Sequence, residues 1–165
     1  MDFYIRPIEE KDLPLVEQTF SNLRAGIHKK RFEDQQRGTL LYLITWDSQK
    51  VIARAMLKWM GAGDSRIPNP ADCPDIESVF VVDEYRGHGI ATKIILYCED
   101  LAREKGFAKI GLSVGQENPH AHRLYTRLGY KNAGYEAFTI GDSYTDGTGK
   151  PQSWQETCTY LIKDL

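Results

Sequence analysis

Two hydrophobic periods alternate along the chain, and the switches between them mark its elements. Phe3-Tyr-Ile-Arg-Pro7 reads as a short strand closed by a proline, which cannot donate to a ladder. Leu13, Val16 and Phe20 then recur at helical spacing after an acidic opening at residues 9–12, where carboxylates suit the helix dipole and Pro14 is tolerated in a first turn. A second helical piece covers residues 29–36, with residues 23–28 as the connection. Residues 40–46 and 51–59 are strands around the polar turn Asp47-Ser-Gln-Lys50, a hairpin. Arg54 and Lys58 alternate with Ala53, Ala55 and Leu57, which predicts one wetter face on the second strand. Residues 61–74 hold two glycines and three prolines and predict a long irregular loop.

The next stretch organises the rest. Ile76, Val79, Phe80, Val81 and Val82 predict a buried strand. A turn at Asp83-Glu-Tyr85 leads into Arg86-Gly-His-Gly-Ile-Ala91, and Ile90, Ile94, Ile95, Cys98, Leu101 and Ala102 then predict a long helix that Gly106 ends. Residues 109–114 are a strand. Asn118 can cap a short helix over residues 119–128, with Pro119 at its first position and Gly129 at its end. Residues 135–140 and 154–163 are closing strands, and the polar residues 141–153 between them read as a long hairpin loop. No repeat or low-complexity tract divides the chain, so residues 1–165 are expected to form a single domain.

Composition narrows the classes. A formal charge of −2 argues against a nucleic-acid binder that works through a basic face. No apolar run reaches membrane-spanning length and the first residues carry no signal pattern, so the expectation is a cytoplasmic protein without a membrane partner. Cys73, Cys98 and Cys158 lie far apart and read neither as a disulfide framework nor, with the four histidines, as a metal site; no metal is expected. Cys98 sits on the apolar stripe of the long helix and reads as core. His120 and His122 read as helix surface.

A glycine turn between a strand and a helix start is an anion site: the backbone comes close, and the free N–H groups of the first helical turn point at the ligand. Two phosphate loops do not fit. Gly89 is followed by Ile-Ala-Thr where a P-loop has Lys-Ser/Thr, and Thr92 stands where a dinucleotide fingerprint has its third Gly or Ala. Arg86-Gly-His-Gly89-Ile-Ala91 instead fits Arg/Gln-x-x-Gly-x-Gly/Ala and resembles the acetyl-CoA pyrophosphate loop of the GNAT N-acetyltransferases. Asn118, Ala121, Leu124, Tyr125, Gly129 and Tyr130 resemble that family's second motif, Asn-x-x-Ala-x-x-Leu-Tyr-x-x-x-Gly-Phe/Tyr.

The resemblance implies an α/β (α+β) GNAT fold. Its central sheet is mixed and mostly antiparallel, has six to seven strands flanked by about four helices, and is splayed between the fourth and fifth. It implies acetyl-CoA as co-substrate and a primary amine as acceptor. Gly87, His88, Gly89, Ile90, Ala91 and Thr92, with Arg86, would form the pyrophosphate loop. Phe80, Val81 and Val82 would lie along the pantetheine arm, the Val81 N–H would meet charge developing on the thioester oxygen, and Asn118 would bond the arm. Tyr125 would protonate the departing thiolate, against the plainer reading of a packed aromatic.

Glu77 is the candidate for removing the amine proton. It lies four residues before Val81, and strand alternation predicts that the two side chains share a face. Its plainer role is a solvent-facing carboxylate, and Asp75 is its alternate. Asp64, Asp72, Asp142 and Asp146 from the two long loops would make an acidic mouth with Asp75 and Glu77, and Trp59 and Tyr144 would wall it. That predicts a small cationic amine or a peptide amine as acceptor. Transfer is expected by direct attack in a ternary complex. A non-catalytic acyl-CoA-binding regulatory module on the same fold is the alternative, and a longer acyl group is a further one. Whether the chain works as a homodimer is left open.

Overall fold

Strand β1 (Phe3–Pro7) pairs antiparallel with β2 (Leu40–Asp47), β2 with β3 (Lys50–Lys58), and β3 with β4 (Asp75–Val81), in a computed structural model that describes residues 1–165. Between β1 and β2 run helices α1 (Leu13–Thr19) and α2 (Ile27–Gln36). A 3-10 turn at Glu10–Asp12 precedes α1, because Asp12 is drawn into Arg6 at 2.6 Å and into the backbone N–H of Glu9 at 2.8 Å.

The long crossover that a parallel pair requires follows β4. It is α3 (Ile90–Glu104), leading to β5 (Lys109–Gly115). β5 is parallel to β4, but their pairing is confined to Asp75 with Gly111 and Ile76 with Leu112. Then come α4 (Pro119–Arg127), the two-residue β6 (Lys131–Asn132), β7 (Phe138–Thr145) and β8 (Pro151–Asp164). The sheet order is β1-β2-β3-β4-β5-β8-β6, with β7 also on β8.

Both faces of the central hairpin are covered. On one, Ile94, Ile95 and Cys98 of α3 pack with Leu43, Ala55, Leu57, Ile76 and Leu112. On the other, Val16 and Phe20 pack with Tyr42, Ile44 and Met56. Each such Ile or Leu contributes about 1.5–3 kcal/mol by burial, so this two-sided packing fixes β3 and β4, and with them the site.

Three expectations are corrected. The sheet has eight strands, not six to seven, since the two-residue β6 adds an edge that no periodicity signals. The span 141–153 is not a long loop. β7 and β8 continue as a polar ribbon tied by Ser143 to Ser153 at 3.2 Å and closed by Asp146, whose Oδ1 accepts from the N–H groups of Thr148 and Lys150. The wetter face of β3 does not exist at Arg54: the helical layer of α1 and α2 covers it, and Arg54 is only 6% exposed.

Candidate active site

The loop after β4 needs its glycines for conformation. Gly87 and Gly89 have φ of 81° and 76°, the left-handed region that side chains disfavour, while a Cβ at either would meet nothing within 4 Å. Gly89 caps α3, whose first-turn N–H groups open onto a cleft of about 740 Å³. Phe80 and Val81 form one wall of the cleft, Arg86, Gly87, Gly89, Ile90, Ala91 and Thr92 its base, and Asn118, Ala121 and Tyr125 of α4 the other wall. Arg123 and Arg127 stand on the same side as α4. This donor set suits an elongated ligand bearing phosphates.

Two of the loop and strand candidates lie outside that lining. His88 is exposed, with its Nδ1–H donating to the Tyr85 carbonyl at 3.1 Å. Val82 belongs to the opposite packing layer, and its N–H donates to the Ile52 carbonyl at 2.9 Å. That bond fixes the orientation of the neighbouring residue. In an antiparallel ladder, bonded and non-bonded pairs alternate, so Val81, opposite Ala53, turns its N–H and C=O away from β3 toward the cleft. Its carbonyl is taken by Arg86 Nε at 3.1 Å.

A bulge breaks the alternation of β4. Met56 faces Glu77 and Arg54 faces Phe80, so three steps on β4 answer two on β3. Ser78 absorbs the extra residue at φ 59°. Glu77 therefore shares a face with Phe80, and the expectation that it shares one with Val81 is corrected: Val79 and Val81 pack toward α3.

On the Glu77 side lies a second cavity, of about 480 Å³, lined by Arg31, Met56, Glu77, Ser78, Ile140, Trp154 and Glu156 among others. The two cavities share Val79, Asn118, Ala121 and Tyr125. Asn118 caps α4 by accepting from the Ala121 N–H at 3.1 Å, which leaves its amide group open to the junction. Burial raises the Tyr125 phenol above its ordinary value, so it holds its proton at neutral pH.

Behind Glu77 is a carboxyl pair. Asp75 is fully buried and accepts at Oδ1 from the Tyr160 hydroxyl at 2.9 Å. Burial first, and Glu77 second, raise the Asp75 carboxyl well above the usual carboxylate range. Asp75 is thus the member biased toward its protonated form, beside a Glu77 that forms an ion pair with Lys58 Nζ at 3.0 Å without hydrogen-bond alignment. Gly111 makes the arrangement possible: a Cβ there would lie 2.3 Å from the Tyr160 hydroxyl oxygen.

The remaining acidic residues are not gathered. Asp64 pairs with Arg66, Asp142 with Arg24, and Asp146 is buried in its own turn. Trp59 lies away from both cavities, stacked on Phe107 in the α3 layer, and Tyr144 donates to the Asn22 carbonyl and lines neither cavity. Trp154 and Ile140 wall the second cavity instead. Sequence reasoning missed Arg31, Ser78, Trp154 and Glu156 because they come from three elements far apart in sequence, α2, β4 and β8, and only the bulge and the β7–β8 ribbon converge them. All three cysteines are free and buried, and burial raises every thiol, to about 11 for Cys73 and about 12 for Cys158. No group of three or more His, Cys, Asp or Glu stands in metal-binding array, and no helix is long and apolar enough to cross a membrane.

Against known proteins, a family model described as "Acetyltransferase (GNAT) family" matches residues 5–130. A thialysine N-epsilon-acetyltransferase of Bos taurus is 34% identical over 80 residues, 46% of this chain and 47% of that protein. The Mus musculus protein of that name is 41% identical over 54 residues, 33% of this chain and 32% of that protein. The matches thus span about half or less of these relatives. Among solved structures, the PaiA N-acetyltransferase of Thermoplasma acidophilum in complex with coenzyme A superposes with TM-score 0.66 at 15% identity, over 100% of both chains. Spermidine N-acetyltransferase of Vibrio cholerae in complex with CoA and spermine superposes with TM-score 0.69 at 16% identity, over 98% of this chain and 95% of that one. At such identities the likeness is one of fold.

Proposed function

The chain belongs to the GNAT acetyltransferase family, and from that premise we propose that residues 1–165 form one N-acetyltransferase domain that moves an acetyl group from acetyl-CoA to a primary amine by direct attack in a ternary complex. The observation that carries this reading is the meeting of the two cavities at Val79, Asn118, Ala121 and Tyr125, where a donor held in one would face an acceptor held in the other.

Acetyl-CoA supplies the activated thioester; the chain supplies the rest. The α3 N-terminus with Gly87 and Gly89 holds the pyrophosphate, and Arg86, Arg123 and Arg127 add charge at the rim. The pantetheine arm runs beside Phe80 and Val81, where β5 has ceased to pair with β4, and Asn118 bonds it. The Val81 N–H meets the charge that develops on the thioester oxygen. Glu77, ion-paired with Lys58, takes the amine proton directly or through water, with the buried Asp75 carboxyl behind it. As the N–C bond forms and the C–S bond breaks, Tyr125 gives its proton to the sulfur. The buried, raised thiols support direct transfer over an acyl-cysteine route.

The relatives and neighbours are named for different acceptors, thialysine, spermidine and ribosomal-protein alanine among them, so similarity does not select one. Of the loop carboxylates expected to attract a cation, Asp64 and Asp142 are ion-paired, Asp146 is buried, and Asp72 is exposed and lines neither cavity, so support for a cationic acceptor reduces to Glu77 and Glu156. The test is release of free thiol from acetyl-CoA with a panel of primary amines, with mass spectrometry of the product. Amine-dependent release with a matching acetylamide is expected. Tight acetyl-CoA binding without transfer to any amine would leave the non-catalytic module standing in its place.

A further inference from the structure

Arg31 and Arg54 converge on Ser78 from opposite elements, α2 and β3, and no carboxylate neutralises either one. Arg54 Nη1 donates to the Ser78 carbonyl at 2.7 Å and to its hydroxyl, and the guanidinium lies between the rings of Phe20 and Phe80, 5.1 and 5.2 Å from their centroids. Arg31 Nη2 reaches the same hydroxyl at 3.4 Å and Nη1 the Tyr42 hydroxyl at 3.3 Å. The Nε of each is buried without an acceptor. Burial, and then the charge of Arg31, lower Arg54 to about 10. Most of the other arginines are paired with acids, as are Arg6 with Asp12, Arg24 with Asp142 and Arg66 with Asp64; Arg123 and Arg127, at the other cleft, are the exceptions.

One cation has a structural use here: Arg54 clamps the bulge carbonyl. A second cation beside it raises the electrostatic penalty, and its own contacts, the Ser78 and Tyr42 hydroxyls and the Tyr42 ring, bring no countercharge. Arg31 is nonetheless positioned by a dedicated chain of bonds. His28 Nε2–H donates to the Phe20 carbonyl at 3.0 Å, which leaves Nδ1 to accept from the Tyr42 hydroxyl at 2.8 Å, and the Tyr42 oxygen then accepts from Arg31. Burial lowers His28 to about 4, so at neutral pH it adds no third charge. Arg31 lines the acceptor cavity beside Ser78, on the same β4 face as Glu77.

We propose that Arg31, backed by Arg54 and the Ser78 hydroxyl, is an anion subsite of the acceptor cavity, and that the acceptor is an amine carrying a carboxylate. This rests on the reading of that cavity as the acceptor site. A guanidinium presents a fork that matches a carboxylate and is the side chain suited to holding one away from water. With the carboxylate at Arg31, the amine end of such a molecule points along the cavity toward Val79 and Tyr125, where Glu77 can take its proton. Met56, Ile140 and Trp154 enclose the body between the two ends.

The experiment compares kcat/KM for β-alanine, γ-aminobutyrate and lysine with that for their carboxamides, in the wild type, Arg31→Gln and Arg31→Lys, with the KM for acetyl-CoA measured in each. The wild type is expected to favour the carboxylates by ~10–100-fold, the range of a hydrogen bond to a charged group. Arg31→Gln should bring the two series near parity, Arg31→Lys should keep part of the preference, and the KM for acetyl-CoA should stay unchanged. Equal turnover of carboxamides in the wild type overturns the proposal, as does a preference that survives Arg31→Gln. A rise in the acetyl-CoA KM with acceptor preference intact would assign the cation to the cofactor and equally overturn it. Calorimetry of γ-aminobutyrate and its carboxamide against the coenzyme A-saturated protein separates the subsite from catalysis. Carboxylate-dependent binding that Arg31→Gln abolishes supports the subsite even where no amine is acetylated, and its absence overturns the subsite even where amines are.

Discussion

The Tyr160 hydroxyl crosses β5 over Gly111 to bond Asp75 Oδ1 at 2.9 Å, and so holds directly behind Glu77 a carboxyl that burial biases toward its protonated form. Asn at position 75 can keep both contacts, accepting from Tyr160 and donating toward Glu77. It differs in having no proton to lose. Asp75 has a folded pKa raised above its unfolded value, so its favourable contribution is full below about 3.9 and is lost as pH rises toward the folded value. The stability of Asp75→Asn relative to wild type should therefore grow as pH rises from about 4 toward neutrality, with a slope of at most about 1.4 kcal/mol per pH unit. Urea midpoints of the two proteins across that range check this; titrating groups that do not touch position 75 cancel in the difference. A pH-independent difference would mean that Asp75 is ionised in the fold.

Gly89→Glu tests the pyrophosphate loop. Residue 89 has φ 76°, and a side chain there enters open space at the α3 N-terminus and not a packed wall. The left-handed conformation costs a non-glycine residue about 1–2 kcal/mol, and the new carboxylate meets the ligand's phosphates. Affinity for coenzyme A should fall at least ~10-fold, while thermal unfolding of the free protein stays cooperative. Unchanged affinity by calorimetry would remove this loop from the cofactor site.

How much of this was legible in the sequence depends on the range of the signal. The glycine turn after β4, its long helix and the Asn118 cap are local, each written within a few residues, and the structure has these elements where glycine, apolar spacing and cap chemistry predict. Glu77 was located as to strand but misjudged as to face, because a bulge at a serine leaves no mark in a run of β-branched residues. Arg54 looked solvent-facing because alternation reveals which residues share a face and says nothing of what covers it. The Arg31–Ser78 contact spans 47 positions in sequence and depends on that same bulge. Trp59 and Tyr144 were judged by residue type alone, and type does not tell a core indole from a cavity wall.

Tyr125→Phe removes the hydroxyl at the junction and leaves the ring, which packs edge-on to Tyr130 at 6.1 Å. Stability and acetyl-CoA affinity should hold. kcat should fall by ~10²–10⁴-fold, the usual contribution of a general acid, or by less where water replaces the phenol. Rapid-quench turnover at saturating substrates reads this. Wild-type kcat would make Tyr125 a packing residue.

Glu77→Gln distinguishes proton removal from simple attraction of a cation. Both roles predict a slower enzyme at neutral pH, so the rate alone decides nothing. They part in which constant carries the deficit across pH: kcat for a base, KM for an attractor. A primary amine with a pKa near 10.4 supplies more of its unprotonated form with each unit of alkali, and an enzyme without its base gains from that supply. If Glu77 takes the proton, kcat/KM of the variant should lie ~10²-fold or more below wild type near pH 7, and the gap should close steadily toward pH 10. If Glu77 only attracts the ammonium form, the gap narrows as the ammonium disappears but the KM, not kcat, carries it. The pair with Lys58 adds a second reading: Lys58→Met leaves Glu77 in place without its ion partner, beside the buried Asp75 carboxyl. The base role then predicts an altered pH dependence of kcat in Lys58→Met, with acetyl-CoA affinity unchanged. A Glu77→Gln variant whose deficit sits wholly in KM at every pH would assign proton removal to another group.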